Sequence, residues 1–211
     1  MEKFGKSQPI KRKEDVRFLT GKGRYIDDIS PVDALHTFVF RSPVAHANIL
    51  NLDVSDAKAA VGVHAVYVAG DLETAGLKLG MRGAVMKNRD GSDGASPERP
   101  ILAKGKLRFV GEPVAMILAD TLSQARDAAE MITLSYDDLP AKMNIDKGGE
   151  MIHDAAPDNV AFDWEMGDEV ATETAFASAA HVVSLNIGDN RIIVNSIEPR
   201  GCYAEMEGNR V

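Results

Sequence analysis

What the sequence has little of narrows the field first. It holds one cysteine, Cys202, in 211 residues, so a single chain can form neither an internal disulfide nor a Cys-built zinc or iron-sulfur site. With no histidine near it in sequence, Cys202 reads as a small buried apolar residue rather than a nucleophile. No apolar run approaches the ~20 residues a membrane helix needs, and the Lys-rich N-terminus lacks the apolar core of a secretory signal, so the expectation is a cytoplasmic chain. Cations are also short, 24 Lys and Arg against 32 Asp and Glu. That balance disfavours a nucleic-acid partner, whose phosphates demand a basic face. The five histidines, His36, His46, His64, His153 and His181, are scattered. None stands at the i, i+4 spacing that puts two imidazoles on one helix face, so they predict no metal site. A Gly-x-Ser-x-Gly elbow and a Walker phosphate loop are both missing.

What is present is 45% hydrophobic and 27% charged, the composition of a folded globular chain with one large or two small domains. The charge is uneven. Lys3, Lys6, Lys11, Arg12, Lys13, Arg17, Lys22 and Arg24 face only Glu2, Glu14 and Asp15 in the first 25 residues. This basic arm either lies on its own acidic body or docks on a partner subunit.

Gly21 and Gly23 mark a turn before a short extended stretch, Tyr25 to Ile29; without a third glycine or a following helix they make no dinucleotide fingerprint. Leu35 to Phe40 and Ile49 to Val54 read as strands, Ser55 as the N-cap of a helix through Ala60, and Val63 to Val68 as a further strand. Residues 80–99 read as a solvated irregular loop, and its run Asn88 to Asp93 lacks the glycine and terminal Glu placement of an EF-hand. Leu107 to Val110 and Pro113 to Ala119 are strand-like. Thr121 then caps a helix with Ala125, Ala128, Ala129 and Ile132 on one face, and Ile132 to Tyr136 closes the unit, for which a right-handed parallel crossover is expected. Residues 141–168 read as an extended linker anchored by Phe162 and Trp164. Glu173 to Ala180 is helical, and Val182 to Ile187 and Ile192 to Val194 form strands about an Asp189-Asn190 turn. Cys202 to Met206 looks extended. Past the turn at Glu207, Gly208 and Asn209, Arg210 and Val211 start a return strand with no room to pair, as expected of a piece of a longer domain.

Two carboxylate pairs, Asp27-Asp28 and Asp137-Asp138, invite an acid-base reading, but strand neighbours point to opposite faces, so turn capping accounts for them better. Glu112, held between Gly111 and Pro113, suits a structural hydrogen-bonding role better than general base catalysis. Read from residues alone, the chain is α+β without a recognisable active site.

Five ordered segments resemble one family. Arg12 to Asp28 resembles the opening of molybdenum hydroxylase large subunits, the group that includes xanthine dehydrogenase, aldehyde oxidase and, most similar here, aerobic carbon monoxide dehydrogenase. Arg41-Ser42-Pro43-Val44-Ala45-His46-Ala47, Gly111-Glu112-Pro113-Val114-Ala115 and Ser135-Tyr136-Asp137-Asp138-Leu139-Pro140-Ala141 resemble that family's α/β hammerhead domain. Asn195-Ser196-Ile197-Glu198-Pro199-Arg200-Gly201 resembles the start of its cofactor-binding domain.

The resemblance implies an α+β chain divided into a basic arm (1–19), a hammerhead domain (20–140), an extended linker (141–172) and the start of a second α+β domain (173–211). It further implies a complete subunit that holds molybdenum on a pterin cytosine dinucleotide, with FAD and 2Fe-2S centres in partner subunits. The family oxidises an electron-poor carbon at molybdenum with a glutamate as base. Its base and its glycine-rich cofactor loops match nothing in this sequence, so no catalytic, cofactor-binding or metal residue is assigned. Two functions remain open: the structural and assembly part of such an oxidoreductase subunit, inactive alone, or a stand-alone docking module, in either case with a second copy as a possible partner. A small hydrolase is disfavoured, since no nucleophile-base pair can be named.

Overall fold

The computed structural model describes residues 11–29, 31–190 and 192–211; the first ten residues of the basic arm, with Lys3 and Lys6, lie outside the described residues. The chain divides into two compact units, one formed by Leu35–Val182 and the other by Met1–Ala34 together with Val183–Val211.

In chain order the described elements are α1 (Asp15–Leu19), a 3-10 turn (Ile26–Asp28), β1 (His36–Arg41), β2 (Ala47–Asp53), α2 (Ser55–Ala59), β3 (Val63–Val68), α3 (Ala69–Thr74), β4 (Gly80–Arg82), β5 (Glu98–Pro100), β6 (Lys106–Leu107), β7 (Pro113–Ala119), α4 (Leu122–Glu130), β8 (Thr133–Asp138) and α5 (Glu169–Ser178). All strands fall in the larger unit. They form two three-stranded sheets, β1-β7-β3 and β6-β2-β8, and a hairpin, β4-β5. Every ladder is antiparallel. The fold is mixed α+β, as the sequence predicts.

β7 shows why. Its run of apolar residues cannot face water on either side, and Val114, Ala115, Ile117 and Ala119 are fully buried. It is also hydrogen-bonded along both edges, to β1 and β3. Side chains alternate between faces of a strand. Accordingly Ala115, Ile117 and Ala119 join one core with Ala125, Ala128 and Ala129 of α4, while Val114 joins a second core with Ala47, Ala103 and Leu107. The three alanines let α4 sit close on the sheet. Its first turn is capped by Thr121, whose hydroxyl accepts the Gln124 N–H at 3.2 Å.

Several expectations are corrected. The parallel crossover fails: β7 and β8 lie in different sheets, because β1 and β3 already occupy both edges of β7 and leave none for β8. Ser55 is the first helical residue of α2 rather than its cap; the Asp53 carboxylate accepts the Ser55 N–H at 2.9 Å. The stretch 25–29 is a 3-10 turn rather than extended. Residues 80–99 are not a simple loop, since β4 and β5 pair across them; at Gly80 the Arg99 carbonyl comes closer than any Cβ would tolerate, which explains the glycine. Phe162 and Trp164 are half exposed and do not anchor the linker. Buried Ala156 and half-buried Asn159 do. The Asn159 side chain accepts the Ile152 N–H and donates to the Gly148 and Glu150 carbonyls, with φ at +57°. The hairpin expected between 182 and 194 is not formed among the described residues. Its apolar side chains are exposed, with no sheet edge to complete them.

Candidate functional site

Three of the segments singled out in the sequence converge at one corner of the larger unit. Gly111 makes it possible: its φ of +87° lies in the left-handed region that side chains avoid. The turn it permits lets Gly111 and Ser42 exchange main-chain bonds, with Gly111 N–H donating to the Ser42 carbonyl and Ser42 N–H to the Glu112 carbonyl, both at 2.8 Å. The Arg41 guanidinium closes over the turn and donates to the Gly111 carbonyl at 2.9 Å. The Ser42 hydroxyl donates to the Val44 carbonyl at 2.7 Å and accepts the Val44 N–H at 3.2 Å. The third segment joins through His46, whose carbonyl accepts the Leu139 N–H and whose Nδ1 meets the Pro140 carbonyl, each at 2.9 Å.

Among the described residues, Ser42, His46 and Glu112 are the buried polar side chains, and all three stand in this corner. Glu112, 1% exposed, accepts the Arg108 N–H at 2.6 Å. Burial holds its carboxyl above the ordinary value, against the opposing pull of that N–H, the Arg108 guanidinium and the Phe109 N–H. Because a carbonyl only accepts, the His46 ring donates from Nδ1, and its buried Nε2 has no hydrogen-bond partner among the described residues. The Arg108 side chain reaches outward to the Ile152 and Lys106 carbonyls at 3.2 and 3.3 Å. A carboxylate this enclosed and already spent on backbone N–H groups is a clamp, in keeping with the structural role expected of Glu112.

The remaining candidates are not brought together. His64 meets Asp120 at 2.7 Å on the surface. His153 is held below the usual imidazole value by burial and then by Arg108. His36 and His181 are exposed. Among the described residues no three His, Cys, Asp or Glu side chains gather as a metal would require. Asp28 caps its turn by accepting the Tyr25 N–H at 2.9 Å, whereas Asp137 and Asp138 sit in β8 opposite Asn48 and Ala47. Cys202 is exposed, contrary to the buried reading. In the run Asn88 to Asp93, the Asp90 carboxylate takes both the N–H and the hydroxyl of Ser92, at 2.9 and 2.6 Å. A local turn thus uses the oxygens a cation would want.

Three shallow grooves of about 240, 350 and 370 Å³ lie along 87–95 and 155–173. Glu165, Asp168, Glu169 and Glu173 line the smallest. The cations of the others are already paired, Lys87 with Asp93 at 2.6 Å and Arg89 with Asp163 and Glu165 at 3.0 and 3.4 Å. The sequence reading missed this Arg89 clasp, which joins residues more than seventy positions apart with nothing local to mark it.

Comparison with known proteins gives the corner its context. Residues 20–140 match the family model described as aldehyde oxidase and xanthine dehydrogenase, a/b hammerhead domain, and residues 152–211 match that of a molybdopterin cofactor-binding domain. The nicotine 6-hydroxylase large subunit of Paenarthrobacter nicotinovorans is 35% identical across 97% of this chain, which covers 24% of that protein. The carbon monoxide dehydrogenase large chain of Hydrogenophaga pseudoflava is 33% identical across 92% of this chain and 25% of its own length. The crystal structure of quinoline 2-oxidoreductase from Pseudomonas putida 86 superposes with a TM-score of 0.69 at 38% identity, covering 82% of this chain and 22% of that one. The chain thus spans about a quarter of the length of these relatives. It belongs to the aldehyde oxidase and xanthine dehydrogenase family, of whose molybdenum hydroxylase large subunit it carries the α/β hammerhead domain and part of the molybdopterin cofactor-binding domain.

Proposed function

We propose that this chain is the structural and assembly part of a molybdenum hydroxylase large subunit, an oxidoreductase of the carbon monoxide, aldehyde or purine dehydrogenase type, and that the catalytic residues are supplied by the rest of that subunit. The observation that carries this reading is the corner of Ser42, His46 and Glu112. Every family segment in the larger unit ends in it, and the Ser42 hydroxyl, His46 Nδ1 and the Glu112 carboxylate are each spent on main-chain groups. The complete subunit would hold a molybdenum pterin cytosine dinucleotide and pass electrons to 2Fe-2S and FAD centres in partner subunits.

The described residues do not fit that cofactor by themselves. Its pyrophosphate needs free N–H groups or cations. Of the grooves here, the smallest is lined by carboxylates, and Lys87 and Arg89 in the others are neutralised. The role left to the hammerhead is to hold its own shape and present a surface to the remainder of the subunit.

Metal and pterin analysis of the purified chain, alone and co-expressed with the rest of the subunit and its FAD and iron-sulfur partners, tests this reading. The expected result is no molybdenum in the isolated chain and stoichiometric molybdenum in the complex. Molybdenum retained by the chain alone would overturn it. None in either preparation would favour a docking module that catalyses nothing.

A further inference from the structure

The family model for the hammerhead starts at residue 20, yet the smaller compact unit gathers residues up to Ala34 with Val183–Val211. Two contacts span that unit. The Ile26 N–H donates to Glu198 Oε1 at 3.1 Å, across 172 positions of sequence. Gly201 lies so close to Ile26 that a Cβ built there would be 2.9 Å from Ile26 Cγ2 and 3.5 Å from Ile26 Cβ. Ile26 is the first residue of the 3-10 turn, so its N–H has no helical partner of its own. The Glu198 carboxylate supplies one, and the missing side chain of Gly201 makes room for the isoleucine. On the N-terminal side the turn is preset: the Asp28 carboxylate accepts the Tyr25 N–H at 2.9 Å, and the Tyr25 ring stacks on Phe18 at 6.2 Å.

We propose that residues 11–29 are the docking partner of the Glu198–Gly201 segment, so that the two ends of the chain form one discontinuous domain and the hammerhead is an insertion within it. Glu198 is the positioning residue of this joint, fixing the N-terminal segment through a charge-assisted bond to a helix-end N–H. The segment Asn195 to Gly201 then owes its placement to residues far upstream. This inference is independent of which reaction the complete subunit performs.

An engineered disulfide tests the juxtaposition in the full chain. The 3.5 Å separation of Ile26 Cβ from the position of a Cβ at Gly201 is at the near edge of the about 3.5–4.5 Å that disulfides span. Gly201 has no positive φ, so it accepts a side chain, and Ile26→Cys removes the methyl group that would collide. In a chain carrying Ile26→Cys, Gly201→Cys and Cys202→Ser, oxidised glutathione is expected to take both thiols into an intrachain bond, read as a monomer with two hydrogens lost by mass. Two thiols that stay free, or a bond that forms only between chains, overturn the proposal.

Amide exchange at Ile26 supplies the second readout. Glu198→Ala is expected to speed it at least about tenfold, the loss of a hydrogen bond to a charged acceptor, while Glu198→Gln, whose amide oxygen still accepts, keeps most of the protection. An Ile26 amide that exchanges at the unprotected rate in the unaltered chain, or that is indifferent to both substitutions, sinks the role of Glu198.

Discussion

β7 and the segment 182–194 both carry the apolar residues of a strand and end differently. Pro113-Val114-Ala115-Met116-Ile117-Leu118-Ala119 pairs along both edges and buries Val114 and Ile117 completely. Val183, Leu185 and Ile187 alternate with polar residues as a half-buried strand should, yet they are 76–89% exposed and unpaired. Apolar pattern selects residues able to form a strand; hydrogen-bonding neighbours decide whether the strand forms. β7 has β1 and β3 on its flanks and α4 over one face, whereas the later segment has no edge to join.

Substitution at the two sites should separate them sharply. Ile117→Ala removes packed atoms between β1, β3 and α4, and a loss of about 2–5 kcal/mol in chemical denaturation is expected. Ile193→Ala, at a side chain 91% exposed, should stay within about 0.5 kcal/mol. Equal effects would mean that 182–194 is packed in solution, and the comparison would fail. At the corner, Glu112→Ala leaves the half-buried Arg108 N–H without its acceptor and should cost about 1–3 kcal/mol.

Glu112→Gln keeps an acceptor without the charge and exposes a pH dependence. Burial raises the Glu112 pKa above 4.5, so its favourable contribution is complete below about that pH and is lost as the pH climbs through the raised value. Unaltered protein should therefore gain on Glu112→Gln as the pH is lowered into that window and fall behind it at neutrality. A constant difference would mean that the carboxyl is solvated. Thr121→Ala, which deletes the one cap found for α4, should cost about 1 kcal/mol.

Much of the fold was legible because its signals are local. β7 and α4 with its Thr121 cap and its alanine face follow from short-range pattern and came out as read, as did the capping role of Asp28, though not the 3-10 turn it caps. Sheet membership was not legible, since the flanks of β7 are taken by strands 45 or more positions away in sequence. The β4-β5 hairpin hid because its three-residue strands contain Gly80 and Pro100, which read as loop. At the corner, Glu112 stood out through its Gly and Pro neighbours. Ser42 and His46 did not, because a serine before proline and a histidine among alanines look the same whether buried or exposed. The Arg89 clasp and the Glu198 joint depend wholly on tertiary proximity.

The smallest effect expected comes from His153, beside the corner rather than in it. Burial and then Arg108 depress its pKa below 6.5, with Lys106 adding to the depression and Asp154 opposing it. The unfolded chain thus takes up a proton at this residue more readily than the folded one. Its contribution to stability is present above about pH 6.5 and is lost as the pH falls through the depressed value, the opposite sense to Glu112. Urea titrations between about pH 7 and 5 should show unaltered protein losing stability relative to His153→Gln across that window. The Glu112 effect has the reverse sign, so the two substitutions can be told apart by the sign of the change. If His153→Gln follows the unaltered protein throughout, the imidazole is solvated and the packing of residues 152–159 against Arg108 is looser than the hydrogen bond to Ile152 implies.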